Sequence, residues 1–238
     1  MKRFYKEAGT AAAEGGWQVT LDGRKVKTQG GRQQIVPSAA LAAALAAEWA
    51  AQGEEIDPAT FVLRDLADYA LDVVEADRAA VIATLLRYGE TDTLCYRAEP
   101  DEPLHSRQIA MWEPLLTAVE ARWDIHFERI SGIIHRPQPS ETMKRLENVL
   151  AAHDAFTLAA LNTLASLSAS LSVALAAIEP GANITALWDA SELEADWQVE
   201  QWGEDHEATA RRERRLAAFT AAALFAELAL ISPPSSRD

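Results

Sequence analysis

The stretch that decides the fold is residues 17–52, WQVTLDGRKVKTQGGRQQIVPSAALAAALAAEWAAQ, because the spacing of its apolar residues changes midway. In the first part, apolar and polar residues alternate on both sides of Asp22-Gly23. This dipeptide is typical of a two-residue hairpin turn, since both turn positions require positive φ. The segment before Pro37 therefore predicts short antiparallel strands.

After Pro37 the spacing becomes helical. Ser38 is a favourable N-cap, and Leu41, Leu45 and Trp49 follow at intervals of four residues, which places them on one side of a helix. An aromatic residue at this spacing is usually part of the core, so Trp49 is predicted to have a structural role.

The whole chain is predicted to be α+β and mostly α, with a small β-rich N-terminal domain followed by a helical C-terminal domain. The predicted domains are residues 1–57 and 58–238, and the helical part of the first begins near residue 38. Residues 125–134 predict a hairpin-like excursion. Helices are predicted at residues 60–74, 78–88, 103–122, 140–152, 154–178, 182–189, 191–217 and 218–230.

Composition excludes several classes of protein. The 238 residues carry a formal net charge of −14, which disfavours nucleic acid and anionic membranes as partners and also disfavours self-association, so a monomer is expected. The single cysteine excludes a disulfide framework and a cysteine zinc site. Cys95 is more typical of a small buried side chain than of a nucleophile. The N-terminus resembles neither a secretory signal nor a transit peptide, which favours the cytoplasm.

An uncharged run at residues 155–178 is long enough to span a bilayer. Seven Ser, Thr and Asn residues interrupt it, and no cationic flank orients it. The run therefore predicts a buried central helix rather than a membrane span.

Catalytic and cofactor-binding motifs are absent from the sequence, so no cofactor or metal is expected. There is no phosphate-binding loop, dinucleotide fingerprint or His-Glu-x-x-His motif. Asp205-His206-Glu207 is more typical of a charged surface helix than of a metal site. One enzymatic alternative remains, a hydrolase or isomerase that uses Asp65, Asp68 and Asp72 together with Glu200. For the three aspartates, the competing interpretation is a solvated helix face.

The most unusual segment is residues 191–212, SELEADWQVEQWGEDHEATARR, which has seven acids and no cation between residues 192 and 207. Like charges four residues apart destabilise a helix by a few tenths of a kcal/mol each. On a continuous helix, Ala195, Val199 and Trp202 share one side, which is the predicted core contact. The opposite side gathers Leu193, Asp196, Trp197, Glu200, Glu204 and Glu207.

Physical reasoning alone leaves two interpretations of that acidic side, a solvated surface and a partner-binding surface. Trp197 favours the second, because an aromatic ring surrounded by charge is typical of an interface anchor. Gln198, Trp202 and Gly203 are predicted to hold the helix in place. The predicted partner-binding residues are Asp196, Trp197, Glu200, Glu204 and Glu207.

Several segments resemble, in one order along the chain, the ATP synthase assembly chaperones that bind the alpha subunit of the catalytic head. The most specific is QVEQWGEDHEA at residues 198–208. The others are RFYK at residues 3–6, VTLDGRKVKT at 19–28, the helix ending in Glu48, Trp49 and Gln52, YGETDTLCYRA at 88–98, QIAMWEPLL at 108–116 and SGII at 131–134. Ala195 replaces one acid of the family pattern, and a Met-Pro expected near Phe61 is missing.

The resemblance implies a two-domain chaperone that works without ATP. It would bind the unassembled alpha subunit and cover its apolar surface until the beta subunit joins. The start of the chain, close to the first matching segment, favours a bacterial and cytoplasmic member. A structural adaptor for a different protein is a third alternative, which a pull-down from native lysate would distinguish.

Overall fold

A computed structural model describes residues 1–132, 134–203 and 206–230. The fold is α+β and mostly α, with a small N-terminal sheet followed by helices, as the sequence predicts. The described chain divides into two compact units. The first contains residues 1–78, 155–160 and 224–230, and the second contains the other described residues between 79 and 223. The predicted boundary between residues 57 and 58 stays a prediction.

The first unit is built on an antiparallel sheet centred on its second strand. β2 pairs with β1 along their whole length, from Ala8 opposite Leu21 to Ala13 opposite Gly16. It also pairs with β3 and β4. The Asp22-Gly23 turn has φ of 47° and 78°, which is the positive φ that the sequence predicts. The strands are β1 (Ala8–Ala13), β2 (Gly16–Leu21), β3 (Arg24–Lys25) and β4 (Ile35–Val36).

Helix α1 (Ala39–Ala50) packs on this sheet and supplies much of the first core. The Ser38 hydroxyl caps its N-terminus by accepting from the Leu41 N–H at 2.9 Å. Trp49 is buried near its end and lies against Tyr5 and Phe61, with ring centroids 5.6 and 4.5 Å away. Aromatic pairs at these distances stabilise beyond their buried area by about 0.5–1.5 kcal/mol.

Helix α2 (Val62–Tyr69) continues into a π-helical turn, Ala70–Val74. The second unit contains a larger set of helices and one pair of short strands. The following elements lie in the second unit or have residues in both units: α3 (Arg78–Glu90), β5 (Tyr96–Arg97), α4 (Pro103–Trp123), β6 (Ile130–Ser131), α5 (Ser140–Ala152), α6 (Ala155–Ser168), α7 (Leu171–Ala177), α8 (Ile184–Trp202) and α9 (His206–Leu230).

The hairpin predicted at residues 125–134 is wrong. β6 pairs with β5 in parallel, with Ile130 opposite Tyr96. This segment is held in place by contacts with other elements and not by a local turn. Phe127 is buried, and the Arg129 side chain donates to Glu113 and Glu120 of α4.

The single helix predicted at residues 154–178 is also wrong, because the chain breaks between α6 and α7. Ala169 has a φ of 51°, and the Ser170 hydroxyl accepts from the Val173 N–H at 3.0 Å. Ser170 also donates to the fully buried Asp92 carboxylate at 2.6 Å, and that carboxylate accepts the Ser172 N–H at 2.8 Å. Burial raises the pKa of Asp92. Most of the run is buried, as predicted, and no helix in the described part of the chain is long and apolar enough to cross a membrane.

Candidate functional site

The acidic segment does not form one continuous helix, so the predicted helices at residues 182–189 and 191–217 are wrong. α8 ends at Trp202, and α9 begins at His206. Gly203 follows α8 with a φ of 92°, a conformation that glycine adopts without strain. The chain then returns alongside α8, which brings cations of α9 to the acids of α8.

Two acids of α8 are paired with arginines of α9. Arg212 makes a two-point contact with Asp196, in which Nη2 lies 2.9 Å from Oδ2 and Nη1 bonds Oδ1. Arg215 Nη1 lies 3.0 Å from Glu192 Oε1, and the Glu192 side chain is almost fully buried. These acids are therefore compensated within the chain, which explains much of the charge that the sequence leaves unbalanced.

Glu200 is paired with a cation of α4. Arg107 Nη1 donates to Glu200 Oε1 at 2.8 Å, and the hydrogen bond lowers the pKa of Glu200. The Arg107 guanidinium also lies over the Trp197 ring, 4.6 Å from its centroid, which is a cation–π contact. About half of each charged side chain is exposed, so the cluster is accessible from solvent.

The predicted core contact of Ala195, Val199 and Trp202 is wrong. Trp202 is 77% exposed and Val199 is 41% exposed. The helix is buried in its earlier turns, where Leu187, Trp188 and Leu193 pack into the second unit. The last two turns of α8 extend beyond that packing. Their apolar side chains keep the helical spacing, but they do not pack into the core. We call the side chains of Trp197, Val199, Glu200 and Trp202 the α8 tip.

The remaining predicted site residues are less informative. Gln198 is exposed, and Glu207 is exposed with Arg211 3.8 Å away. Glu204 lies outside the described residues. The structure places Trp202 in solvent and not in the predicted core contact. The glycine that follows it was the available signal, because it ends the helix before the tryptophan can be covered by a further turn.

An apolar groove lies on the same two helices as the Arg107–Glu200 pair and is also bordered by α7. Its volume is about 650 Å³, and Arg122 and Glu179 form an ion pair of 3.2 Å at its edge. This groove is not among the sites that the sequence predicts. The apolar residues that line it include Met111, Pro114, Leu115, Ala118, Leu175 and Ala186.

Two of the three aspartates of the enzymatic alternative bind the chain's own backbone. Asp68 is buried and accepts from Gln29 N–H at 3.1 Å, and Asp72 accepts from Gly30 N–H at 2.8 Å. Burial raises the pKa of Asp68. These carboxylates fix the loop that follows β3, and the solvated-face interpretation is wrong for Asp68.

Cys95 lies in an environment that does not favour nucleophilic chemistry. Cys95 is fully buried, and burial raises the pKa of its thiol, so the nucleophilic thiolate is disfavoured. In the described part of the chain, no group of three or more His, Cys, Asp or Glu side chains is arranged to hold a metal ion.

The family model described as ATP12 chaperone protein matches residues 2–120. The crystal structure of Atp12 from Paracoccus denitrificans superposes with a TM-score of 0.90 at 36% identity, covering 96% of this chain and 98% of that one. A putative chaperone from Agrobacterium tumefaciens gives a TM-score of 0.90 at 37% identity, with coverage of 95% and 85%. Mitochondrial atp12 of Schizosaccharomyces pombe is 25% identical over 214 residues, which are 85% of this chain and 74% of that protein.

The chain therefore belongs to the ATP12 chaperone family. This is a family of chaperones and not of enzymes, so the carboxylate hydrolase or isomerase alternative is excluded.

Proposed function

We propose that this protein is an ATP-independent chaperone of ATP synthase assembly that binds the unassembled alpha subunit of the catalytic head. It covers the apolar surface of that subunit until the beta subunit joins. The observation that carries the proposal is the α8 tip, where the exposed Trp202 follows two residues after Glu200, a member of a solvent-accessible ion pair. Family membership supports the chaperone role, and the choice of the alpha subunit follows from the sequence resemblance.

Trp202 is the anchor of the proposed interface. A tryptophan that is 77% exposed leaves a large apolar area in water, and burying it contributes about 25 cal/mol per Å². Tryptophan is enriched among the residues that dominate binding energy at protein interfaces. Trp197 differs from Trp202 because it is partly buried and the Arg107 guanidinium lies over its ring. Trp197 therefore helps to hold Arg107 beside Glu200, and the edge of its ring can also contact the client.

The apolar groove provides a second part of the same surface. It can accept apolar side chains of a client without a change in the backbone, because its walls are three packed helices. An interface of ordinary size buries about 1,600 Å² in total. A Kd on the order of micromolar, about −8 kcal/mol, would hold the client and still permit release.

The proposal includes a monomer that acts in the bacterial cytoplasm. The net charge of −14 opposes self-association. The structures from Paracoccus denitrificans and Agrobacterium tumefaciens match at 36% and 37% identity, compared with 25% for the mitochondrial yeast relative, which favours a bacterial member.

Trp202→Ala should reduce capture of the isolated alpha subunit by about 30-fold, the equivalent of about 2 kcal/mol for an interface anchor. The fold should be retained, because the side chain is mostly in solvent. Capture is measured by titration of the purified subunit, and folding by circular dichroism. Ile134→Ala is the matched control, since Ile134 is 74% exposed in the second unit. Equal capture by both variants would contradict the proposed surface.

Glu200→Lys should weaken capture by about tenfold, because it reverses the charge presented to the client and places a cation against Arg107. The double variant Arg107→Glu/Glu200→Lys restores an ion pair of opposite polarity. If Glu200 contacts the client, the double variant remains defective. Recovery of capture would show that the pair acts only within the chaperone. Glu147→Lys, an exposed helical site with the same charge change, should have little effect.

A further inference from the structure

Charge is distributed unevenly along the chain. Residues 1–36 contain seven Lys and Arg against three Asp and Glu, for a net charge of +4, although the whole chain carries −14. The other 202 residues therefore carry −18. A local excess of positive charge in such an acidic protein calls for a physical explanation, because folding of the sheet does not require it.

The positive charge lines a cleft in the first unit. The cleft has a volume of about 540 Å³, and it is separate from the α8 tip because every residue that lines it belongs to the first unit. Its buried wall includes Tyr5, Trp49 and Val26. The cations that line it are Arg24, Lys25, Lys27 and Arg64.

Three of these cations are available for an external partner. Among the described residues, Arg24, Lys25 and Lys27 take part in no ion pair, and all three are exposed. Lys25 and Lys27 are two residues apart with the buried Val26 between them, so their side chains point to the same side of the extended chain. Arg64 is already engaged with Asp65 at 2.6 Å.

The acids that line the cleft offset only part of its positive charge, because two carboxylates face four cations. The Asp22 carboxylate accepts the backbone N–H groups of Glu7 and Lys6 at 2.9 and 3.1 Å, and these hydrogen bonds lower its pKa. Asp68 is buried and accepts from the Gln34 side chain at 2.6 Å. Both carboxylates hold the fold, and the exposed rim of the cleft remains positive.

An exposed aromatic ring adjoins these charges. Phe4 lines the cleft, is 64% exposed and contacts the Tyr5 ring edge-on at 5.3 Å. A phosphate or similar small anion is bound where several donors converge on one point. Here three of the cations are spread along the extended segment of residues 24–27 in a cleft that is also lined by Tyr5 and Trp49, an arrangement that suits an extended chain with carboxylates and an apolar side chain.

We propose that this cleft is a second client-docking site, which takes an acidic, extended segment of the client polypeptide. The inference rests on the proposed function, since the client is the alpha subunit captured by the α8 tip. Charges at the rim of an interface mainly raise the association rate and make it dependent on salt. The cleft would therefore steer the client, while the α8 tip retains it.

The test is a charge reversal of the three unpaired cations, Arg24→Glu/Lys25→Glu/Lys27→Glu. Capture of the alpha subunit at low salt should fall by about tenfold, and its salt dependence should weaken, because the screened attraction has been removed. The matched control is Arg87→Glu/Arg136→Glu/Lys144→Glu, which changes the net charge equally at exposed sites in the second unit. The control should change capture by less than about twofold.

A second arm uses the wild-type chaperone and a fluorescein-labelled peptide of alternating Glu and Leu residues. Polarisation should report binding that is lost in the triple variant and retained in the control. Stronger displacement of the peptide by inorganic phosphate than by sodium chloride of equal ionic strength would overturn the polypeptide assignment in favour of a small anion.

The two proposals fail in different ways. Normal capture by the triple variant, with capture lost in Trp202→Ala, would overturn the cleft and leave the proposed function standing. No capture by the wild-type chain would overturn the proposed function, and the peptide arm would then decide the cleft alone.

Discussion

Trp112→Ala should lower the free energy of unfolding by about 4 kcal/mol, within the range for removing a buried aromatic side chain. Trp112 is completely buried in α4, and its indole N–H donates to the Ala190 carbonyl of α8 at 2.8 Å. The substitution leaves a cavity and removes the donor of a buried carbonyl. Urea denaturation followed by circular dichroism measures the change.

Two variants separate the parts of this effect. Trp112→Phe keeps most of the ring volume and loses the hydrogen bond, so it should cost about half as much as alanine. Met111→Ala changes the next residue, which is 40% exposed, and should cost less than about 1 kcal/mol. A similar loss for Met111→Ala and Trp112→Ala would contradict the packing described for α4 and α8.

Arg129→Ala should destabilise the protein by about 2–3 kcal/mol at neutral pH. The Arg129 guanidinium bridges two acids of α4, Glu113 at 2.8 Å and Glu120 at 3.0 Å, while Arg97 reaches Glu113 at 2.6 Å. Removing one partner of a buried ion pair costs about 3–5 kcal/mol. The cost expected for Arg129→Ala is at or below the lower end of this range because Glu113 is partly exposed.

The effect of Arg129→Ala should depend on pH. The hydrogen bond from Arg129 lowers the pKa of Glu113. Partial burial acts in the opposite direction at Glu120, but the hydrogen bonds from Arg129 and the Phe127 N–H prevail and its pKa is also lowered. Stability from such groups is present above the unfolded pKa of about 4.3 and is lost as the pH falls through the lower folded value.

The free energies of unfolding of wild type and Arg129→Ala should therefore differ most near pH 7 and converge below about pH 4. Denaturation midpoints measured across this range test the sign. Arg145→Ala breaks a more exposed pair with Asp124, so it should cost no more than about 1 kcal/mol. A difference in stability between wild type and Arg129→Ala that increases at acidic pH would contradict the role assigned to the Arg129 ion pairs.

The sequence predicted those parts of the fold that local signals encode. The Asp22-Gly23 turn, the Ser38 cap and the spacing of Leu41 and Trp49 are each readable within a few residues, and each appears in the structure. β1 was missed, because its alanine-rich sequence has low β propensity and the strand forms by pairing with β2.

Errors arose where distant residues decide the local structure. β5 and β6 are two-residue strands separated by the whole of α4, so neither has a periodic signal. The break between α6 and α7 is fixed by Asp92, 78 residues before Ser170. No window of sequence around residue 170 contains that carboxylate.

The candidate site shows the same limit. The charge of Asp196 looked unbalanced because Arg212, sixteen residues later, becomes its partner only after the chain returns at Gly203. A helical wheel places Trp202 in the core because it assumes that packing extends along the whole helix. The sequence indicated the segment correctly as unusual, but the accessible aromatic residue and the apolar groove required coordinates.

The Arg107–Glu200 contact also bears on how long a proposed complex would last. A client cation that takes over the Glu200 oxygen bonded by Arg107 exchanges one ion pair for another of similar strength. Such an exchange is nearly neutral in free energy, which leaves the dissociation rate to be set by the apolar contacts alone. A chaperone with this arrangement would release its client readily once a subunit with a larger complementary surface binds that client.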